Sequence, residues 1–179
     1  MKILKRALLV IISLIVLVLV TALFVDGKFA ATKKITINQP NEVVFAYIKQ
    51  LKNQDNYSAW GKMDPKMKKT YKGTDGTIGF VSAWESKDDN VGAGEQEIIK
   101  IDENKRIDYE LRFKKPFESI SPAFMTTKAV SATATEVQWG FSGEMVYPLN
   151  IMQLFLDMDA LIGDDFEKGL TKLKGILEK

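Results

Sequence analysis

Glu97, Tyr71 and Tyr109 are the side chains from which any acid–base chemistry in this chain would be built. On its strand Glu97 shares a face with Ile99 and Ile101. A carboxylate turned toward apolar surroundings has its ionised form disfavoured and can give or take a proton. That makes Glu97 the candidate catalytic residue. The competing reading puts Glu97 near a strand end, where it reaches water or pairs with a lysine or arginine. The chain contains no histidine and no cysteine. A histidine-activated nucleophile, a disulfide, a Cys/His zinc site and haem ligation by either residue are therefore excluded. Carboxylate, lysine and tyrosine chemistry remains.

Other clusters carry less. Glu144, Asp157, Asp159, Asp164 and Asp165 lie around the last predicted helix. Asp157 and Asp159 are two apart and point away from each other on a helix. The spaced Asp-x-Asp-x-Asn-Gly loop of a calcium site is missing, so no metal is expected. Gly73, Gly76, Gly79, Gly92 and Gly94 read as turn chemistry. No Gly-Lys-Ser/Thr follows them, which argues against a phosphate cradle. Lys66, Lys68, Lys69 and Lys72 read as an outward face that protects a sheet, with contact to anionic head groups as the alternative. The formal net charge is +2. Setting aside the three leading positive charges leaves 22 Lys+Arg against 23 Asp+Glu, or −1, from Asp26 onward. A body so balanced offers no electrostatic footprint for nucleic acid.

The aromatic residues point to binding. Tyr71, Trp84, Tyr109, Phe113, Trp139 and Phe141 fall on faces assigned inward, joined by Trp60 and by Phe155 and Met158 from the last helix. With Glu97 they are the predicted lining of a cavity for a hydrophobic small molecule or lipid. The alternative is that they fill the core, since aromatics are ordinary core material. No cofactor is expected.

Particular elements must hold these residues in place. Apolar positions from Ile151 to Leu177 recur at helical spacing and predict one long amphipathic helix. A strand over Thr32–Ile37, a turn at Asn38–Asn41, a helix through Leu51 and a poorer helical turn over Asn53–Trp60 come first. Six strands follow: Met67–Lys72, Thr77–Glu85, Glu95–Ile101, Arg106–Phe113, Pro122–Val130 and Thr135–Met145. Arg106–Phe113 alternates without error. Asp75-Gly76 is a hairpin signal, and Ser86–Asn90 with Gly92 and Gly94 forms the next loop. Short loops between successive strands imply an antiparallel meander. The irregular stretches Asn56–Trp60 and Lys115–Pro122 are the expected entrance to the cavity.

The first 25 residues are different in kind. Lys2, Lys5 and Arg6 precede a neutral run from Ala7 to Val25, almost all Leu, Val and Ile. At ~1.5 Å per residue the run can cross a hydrocarbon core of roughly 30 Å. The positive-inside rule puts the N-terminus in the cytoplasm and the body outside, as a single-pass membrane protein. The competing reading is a signal peptide cleaved near Val20-Thr21-Ala22, leaving a secreted body. The expected organisation is a membrane anchor over residues 1–25, a linker over 26–31 and one domain over 32–179.

Local wording adds a resemblance. Trp60-Gly61-Lys62-Met63-Asp64-Pro65, Tyr71-Lys72-Gly73-Thr74-Asp75-Gly76, Gly79, Trp84 and Val91-Gly92-Ala93-Gly94-Glu95-Gln96 resemble a bacterial branch of polyketide cyclase-like proteins. So does the ending, with Gly163, Asp165-Phe166-Glu167, Gly169-Leu170 and Leu173-Lys174. The element order is similar to the helix-grip fold of the START-like (SRPBCC) superfamily, from about Lys33 to the end. The resemblance implies an α+β fold in which a seven-stranded antiparallel sheet curls around the C-terminal helix, with the N-terminal transmembrane helix as an addition. It implies an internal ligand cavity and no particular reaction. The leading expectation is membrane-tethered binding of a hydrophobic molecule without chemistry. The alternatives are a cyclase, dehydratase or hydrolase using carboxylate and tyrosine, and a protein-interaction module with a filled core.

Overall fold

The computed structural model describes residues 2–88 and 91–179. Met1 of the expected anchor and Asp89 and Asn90 of the expected Ser86–Asn90 loop lie outside them. Helix α1 spans Lys2–Ala22. It has no polar face, and nearly all its side chains are exposed. It is long and apolar enough to cross a membrane.

Strand β1 (Lys28–Ile37) follows, then α2 (Asn41–Lys49), a 3₁₀ turn at Leu51–Asn53, α3 (Gln54–Tyr57) and a second 3₁₀ turn at Trp60–Lys62. The remaining strands are β2 (Lys68–Lys72), β3 (Val81–Glu85), β4 (Ala93–Asp102), β5 (Arg106–Lys115), β6 (Ser119–Ser131) and β7 (Ala134–Glu144). A third 3₁₀ turn at Leu149–Leu154 leads to α4 (Met158–Leu177). All seven strands form one antiparallel sheet in the order β1-β7-β6-β5-β4-β3-β2. The meander runs from β2 to β7, and β1 closes it by pairing with β7.

Three expectations need correction. β1 begins at Lys28, where Lys28 pairs with Glu144, so the strand takes in most of the expected 26–31 linker. Pairing with β7 satisfies backbone groups that a free linker would leave to water. The helix expected from Ile151 starts only at Met158. Asp157 caps it, its Oδ1 accepting a hydrogen bond from the Ala160 N–H at 3.0 Å. β3 begins at Val81 rather than Thr77, because the Asp75-Gly76 turn folds away from the sheet. Asp75 Oδ1 accepts from the Leu51 N–H at 2.7 Å. Gly76 has a φ of +73°, and a Cβ there would stand 2.6 Å from Gln50 Nε2, so only glycine suits the site.

The core is filled unevenly. Register brings the starts of β1, β2 and β6, the ends of β5 and β7, and the β3–β4 connection to one end of the sheet, beside the exit of α1. At the other end Val44, Phe45 and Ile48 of α2 pack with Ile37, Ile98, Ile107, Tyr109, Met125 and Val137, all essentially sealed from solvent. In α4 Phe166, Leu170 and Leu173 are buried. Ion pairs and hydrogen bonds pin this helix along β1. Lys33 Nζ lies 3.8 Å from Asp159 Oδ2, and Lys174 Nζ donates to the Thr36 carbonyl at 2.6 Å.

Candidate functional site: an aromatic cavity in the grip

The half of the sheet nearest α1 encloses a cavity of about 320 Å³. That lies at the lower end of the ~300–1,000 Å³ range of small-molecule sites. Small or polar inward residues explain the space. Ser82, Gln96 and Ala123 stand where the other half of the sheet carries Ile98, Tyr109 and Met125.

Two aromatic groups form the walls. Trp139 of β7 stacks on Phe166 of α4 with ring centroids 4.7 Å apart, and Trp60 meets Phe166 edge-on at 5.5 Å. On the other side Trp84 of β3 meets Phe113 of β5 at 5.9 Å, and Phe113 meets Phe141 of β7 at 6.4 Å, both edge to face. Strand alternation aims these rings inward. Trp84 lies flat over Gly94, where a Cβ would come within 2.6 Å of its ring. Its Nε1 donates to the Val91 carbonyl at 3.3 Å, which fixes the indole.

The polar lining is sparse. Lys69 Nζ is 2.5 Å from Asp55 Oδ1, and Asp55 Oδ2 accepts from the Tyr71 hydroxyl at 2.7 Å. Burial and the bond to Asp55 push the Tyr71 phenol up to about 12. Gln54 is nine-tenths buried on the cavity wall, and its Nε2 has no hydrogen-bond partner. It approaches the Tyr109 hydroxyl, yet neither atom completes a hydrogen bond. An unpaired buried donor is costly.

The predicted residues divide between this cavity and other places. Trp60, Trp84, Phe113, Trp139 and Phe141 line it. Tyr71 sits at the sheet edge, stacked on Phe80 at 6.1 Å and 39% exposed. Tyr109 is sealed in the filled half, and burial pushes its phenol well above the usual tyrosine range. Phe155 is 79% exposed. Met158 and Phe155 border a separate open groove of about 520 Å³ against Phe29 of β1. The late start of the predicted helix explains both displacements. Asn56–Trp60 contributes Trp60 and Ser58 to the lining, whereas no residue of Lys115–Pro122 does.

Glu97 requires the plainest correction. It points away from the cavity and accepts a hydrogen bond from Arg112 Nη2 at 2.7 Å. Gln96 and Ile98 hold the inward positions. A bulge between Ile98 and Lys100 opposes one extra residue to Asp108. Beyond it Ile101 returns to the core side. Counting back from Ile101 in steps of two therefore reaches Glu97 on the wrong face. Sequence reasoning also missed Gln54, Asp55 and Phe166, and it placed Lys69 on the outward lysine face, whereas Lys69 lines the cavity. Lys69 and Trp84 are register partners, so the signal for Lys69 was the face already given to Trp84. Among the described residues no three acidic side chains converge as a metal site.

This cavity, clasped between a seven-stranded sheet and a carboxy-terminal helix, defines a helix-grip protein. Residues 28–178 match the family described as polyketide cyclase / dehydrase and lipid transport, and the chain belongs to that family. No curated protein matches it. Among solved structures it is similar to the Aha1 dimer from Colwellia psychrerythraea, at 14% identity and a TM-score of 0.57, covering 84% of this chain and 96% of that one. Protein MLL2253 from Mesorhizobium loti aligns at 14% identity and 0.57, over 84% and 97%. XoxI from Bacillus cereus aligns at 12% and 0.57, over 84% and 96%. At such identities the likeness shows the fold alone.

Proposed function

We propose that the protein binds a hydrophobic small molecule or lipid in the aromatic cavity while anchored to a membrane by α1, with its body outside the cytoplasm. The observation that carries this reading is the partly empty half of the grip. Trp60, Trp84, Phe113, Trp139, Phe141 and Phe166 face one another there across space that side chains do not fill. Lys69, Ser82 and Gln96 in the lining give an otherwise apolar guest polar points of attachment. The family's description, which includes lipid transport, supports the same reading.

An uncleaved anchor is supported by the exit of α1. Ala22 is buried, and its carbonyl accepts a hydrogen bond from Asn150 Nδ2 at 2.7 Å. Catalysis finds less support. Asp55 is engaged by both Lys69 and Tyr71, and a phenol that titrates at about 12 stays protonated near neutral pH.

Native mass spectrometry of the full chain in lipid nanodiscs, followed by organic extraction, tests the reading. A co-purifying apolar compound is expected, as is uptake of a fluorescent fatty acid. Ala123→Leu fills the cavity from β6 and should reduce uptake while the protein stays folded by circular dichroism. Repeated recovery of an empty protein that takes up no probe would overturn the proposal.

A further inference from the structure

The connection between β7 and α4 leaves an apolar surface that the described residues do not cover. Leu149 is 51% exposed, Met152 43%, Leu154 56% and Phe155 79%. They belong to the third 3₁₀ turn and the stretch after it, before Asp157 caps α4. Large apolar side chains grouped in this way mark an interaction surface, whereas scattered ones need no explanation.

Position identifies the partner. Asn150, inside the turn, donates from Nδ2 to the carbonyls of Ala22 at 2.7 Å and Val25 at 2.8 Å. Gln153 Nε2 donates to the Gly27 carbonyl, which also accepts from the Met145 N–H at 2.9 Å. The exit of α1 and the apolar turn are therefore one hydrogen-bonded unit. A helix crossing roughly 30 Å of hydrocarbon sets its last turn at the headgroup layer, and whatever is bonded to that turn lies at the same depth. Leu23 and Phe24, 67% and 84% exposed, continue the apolar surface from the helix end. Charges at this end of the sheet have both signs, with Lys28, Lys114 and Lys115 against Glu118, Glu144 and Asp157. Attraction to lipid would thus come from apolar burial and not from anionic head groups.

We infer that residues 149–156 form a foot that sits in the interfacial layer of the bilayer beside α1, with zwitterionic lipid as a sufficient partner. This rests on the anchored reading of α1. One helix alone leaves a domain free to swivel; a helix and a foot together fix its tilt and hold the cavity half of the sheet toward the lipid.

Because the chain has no cysteine, single cysteines can be introduced one at a time into the full chain and labelled with an environment-sensitive fluorophore. Leu149→Cys and Phe155→Cys report the foot, Leu14→Cys reports α1, and Lys128→Cys reports the far end of the sheet. In phosphatidylcholine vesicles the foot and Leu14 probes should emit to the blue and lose intensity when spin-labelled lipid is added. The Lys128 probe should do neither. Foot probes that behave like the Lys128 probe, while the Leu14 probe is quenched, would overturn the foot and leave the anchor standing. An unquenched Leu14 probe would overturn both. Quenching of the foot only after phosphatidylglycerol is added would overturn the apolar nature of the contact.

Discussion

Arg112 holds three carboxylates on the outer face of the sheet. Its Nε donates to Glu95 Oε1 at 2.7 Å, its Nη1 to Glu110 Oε1 at 2.6 Å and its Nη2 to Glu97 Oε2 at 2.7 Å. Hydrogen bonds from Lys114 and Arg112 hold the Glu95 carboxyl below its usual range. A carboxyl depressed in the folded state stabilises the protein above its unfolded value, about 4.3 for glutamate, and loses that contribution as the pH falls through the folded value. Arg112→Met should therefore lower stability by roughly 1–2 kcal/mol at neutral pH, a partly exposed cluster being worth less than a buried one. It should also flatten the decline in urea midpoint on acidification. A midpoint that still falls as steeply in the variant would assign the acid sensitivity elsewhere. Glu97→Gln should leave fatty-acid uptake unchanged, because its carboxylate faces Arg112 and not the cavity. The face of Glu97 was misread because its neighbours Ile98 and Ile99 are both apolar, so composition cannot say which of them is inside.

Elements whose side chains alternate cleanly are legible in the sequence. β5 presents Ile107, Tyr109, Leu111 and Phe113 on one face as expected, and β7 presents Val137, Trp139 and Phe141. β6 is harder to read, because its inward residues include Ser121, Ala123 and Thr127, which do not look like core. Two local features escaped periodicity. The first is the β4 bulge, where Ile99 and Lys100 are both exposed. Deleting Ile99 would restore strict alternation while keeping Ile98 and Ile101 inward. The shortened protein should fold with its cavity intact, and loss of probe uptake with retained sheet content would show that the bulge shapes the site. The second is the start of α4. The signal was present as Asp157 with Asp159 in the first turn, but the apolar stripe through Leu154 and Phe155 masked it. Asp157→Ala should cost about 1 kcal/mol, seen as a fall of roughly 2–4 °C in melting temperature for a chain of this size.

At the scale of the whole molecule, the layout of sheet and carboxy-terminal helix followed from the order of segments and the shortness of their connections. The division of the interior into a filled and a partly empty half did not. It depends on α2 covering one end, a contact between segments far apart in sequence that no local pattern reports. Nor could the sequence show that Asn150 grips the exit of α1, since an asparagine in a turn has many uses. Asn150→Ala removes two hydrogen bonds, one of them buried, worth about 1–3 kcal/mol together. It should speed hydrogen exchange at Met145, whose amide is bonded to Gly27, while leaving uptake unchanged. Equal protection in variant and parent would mean that β1 alone fixes the joint. Only five residues, Leu23 to Gly27, separate α1 from β1. Drawn out straight they reach at most roughly 17 Å, well short of the ~40–45 Å thickness of a single bilayer. With α1 anchored as proposed, so short a leash would make the protein no courier: it could not ferry a guest to a distant membrane, and any guest it lifted would have to be handed to a visitor that comes to the same patch of lipid.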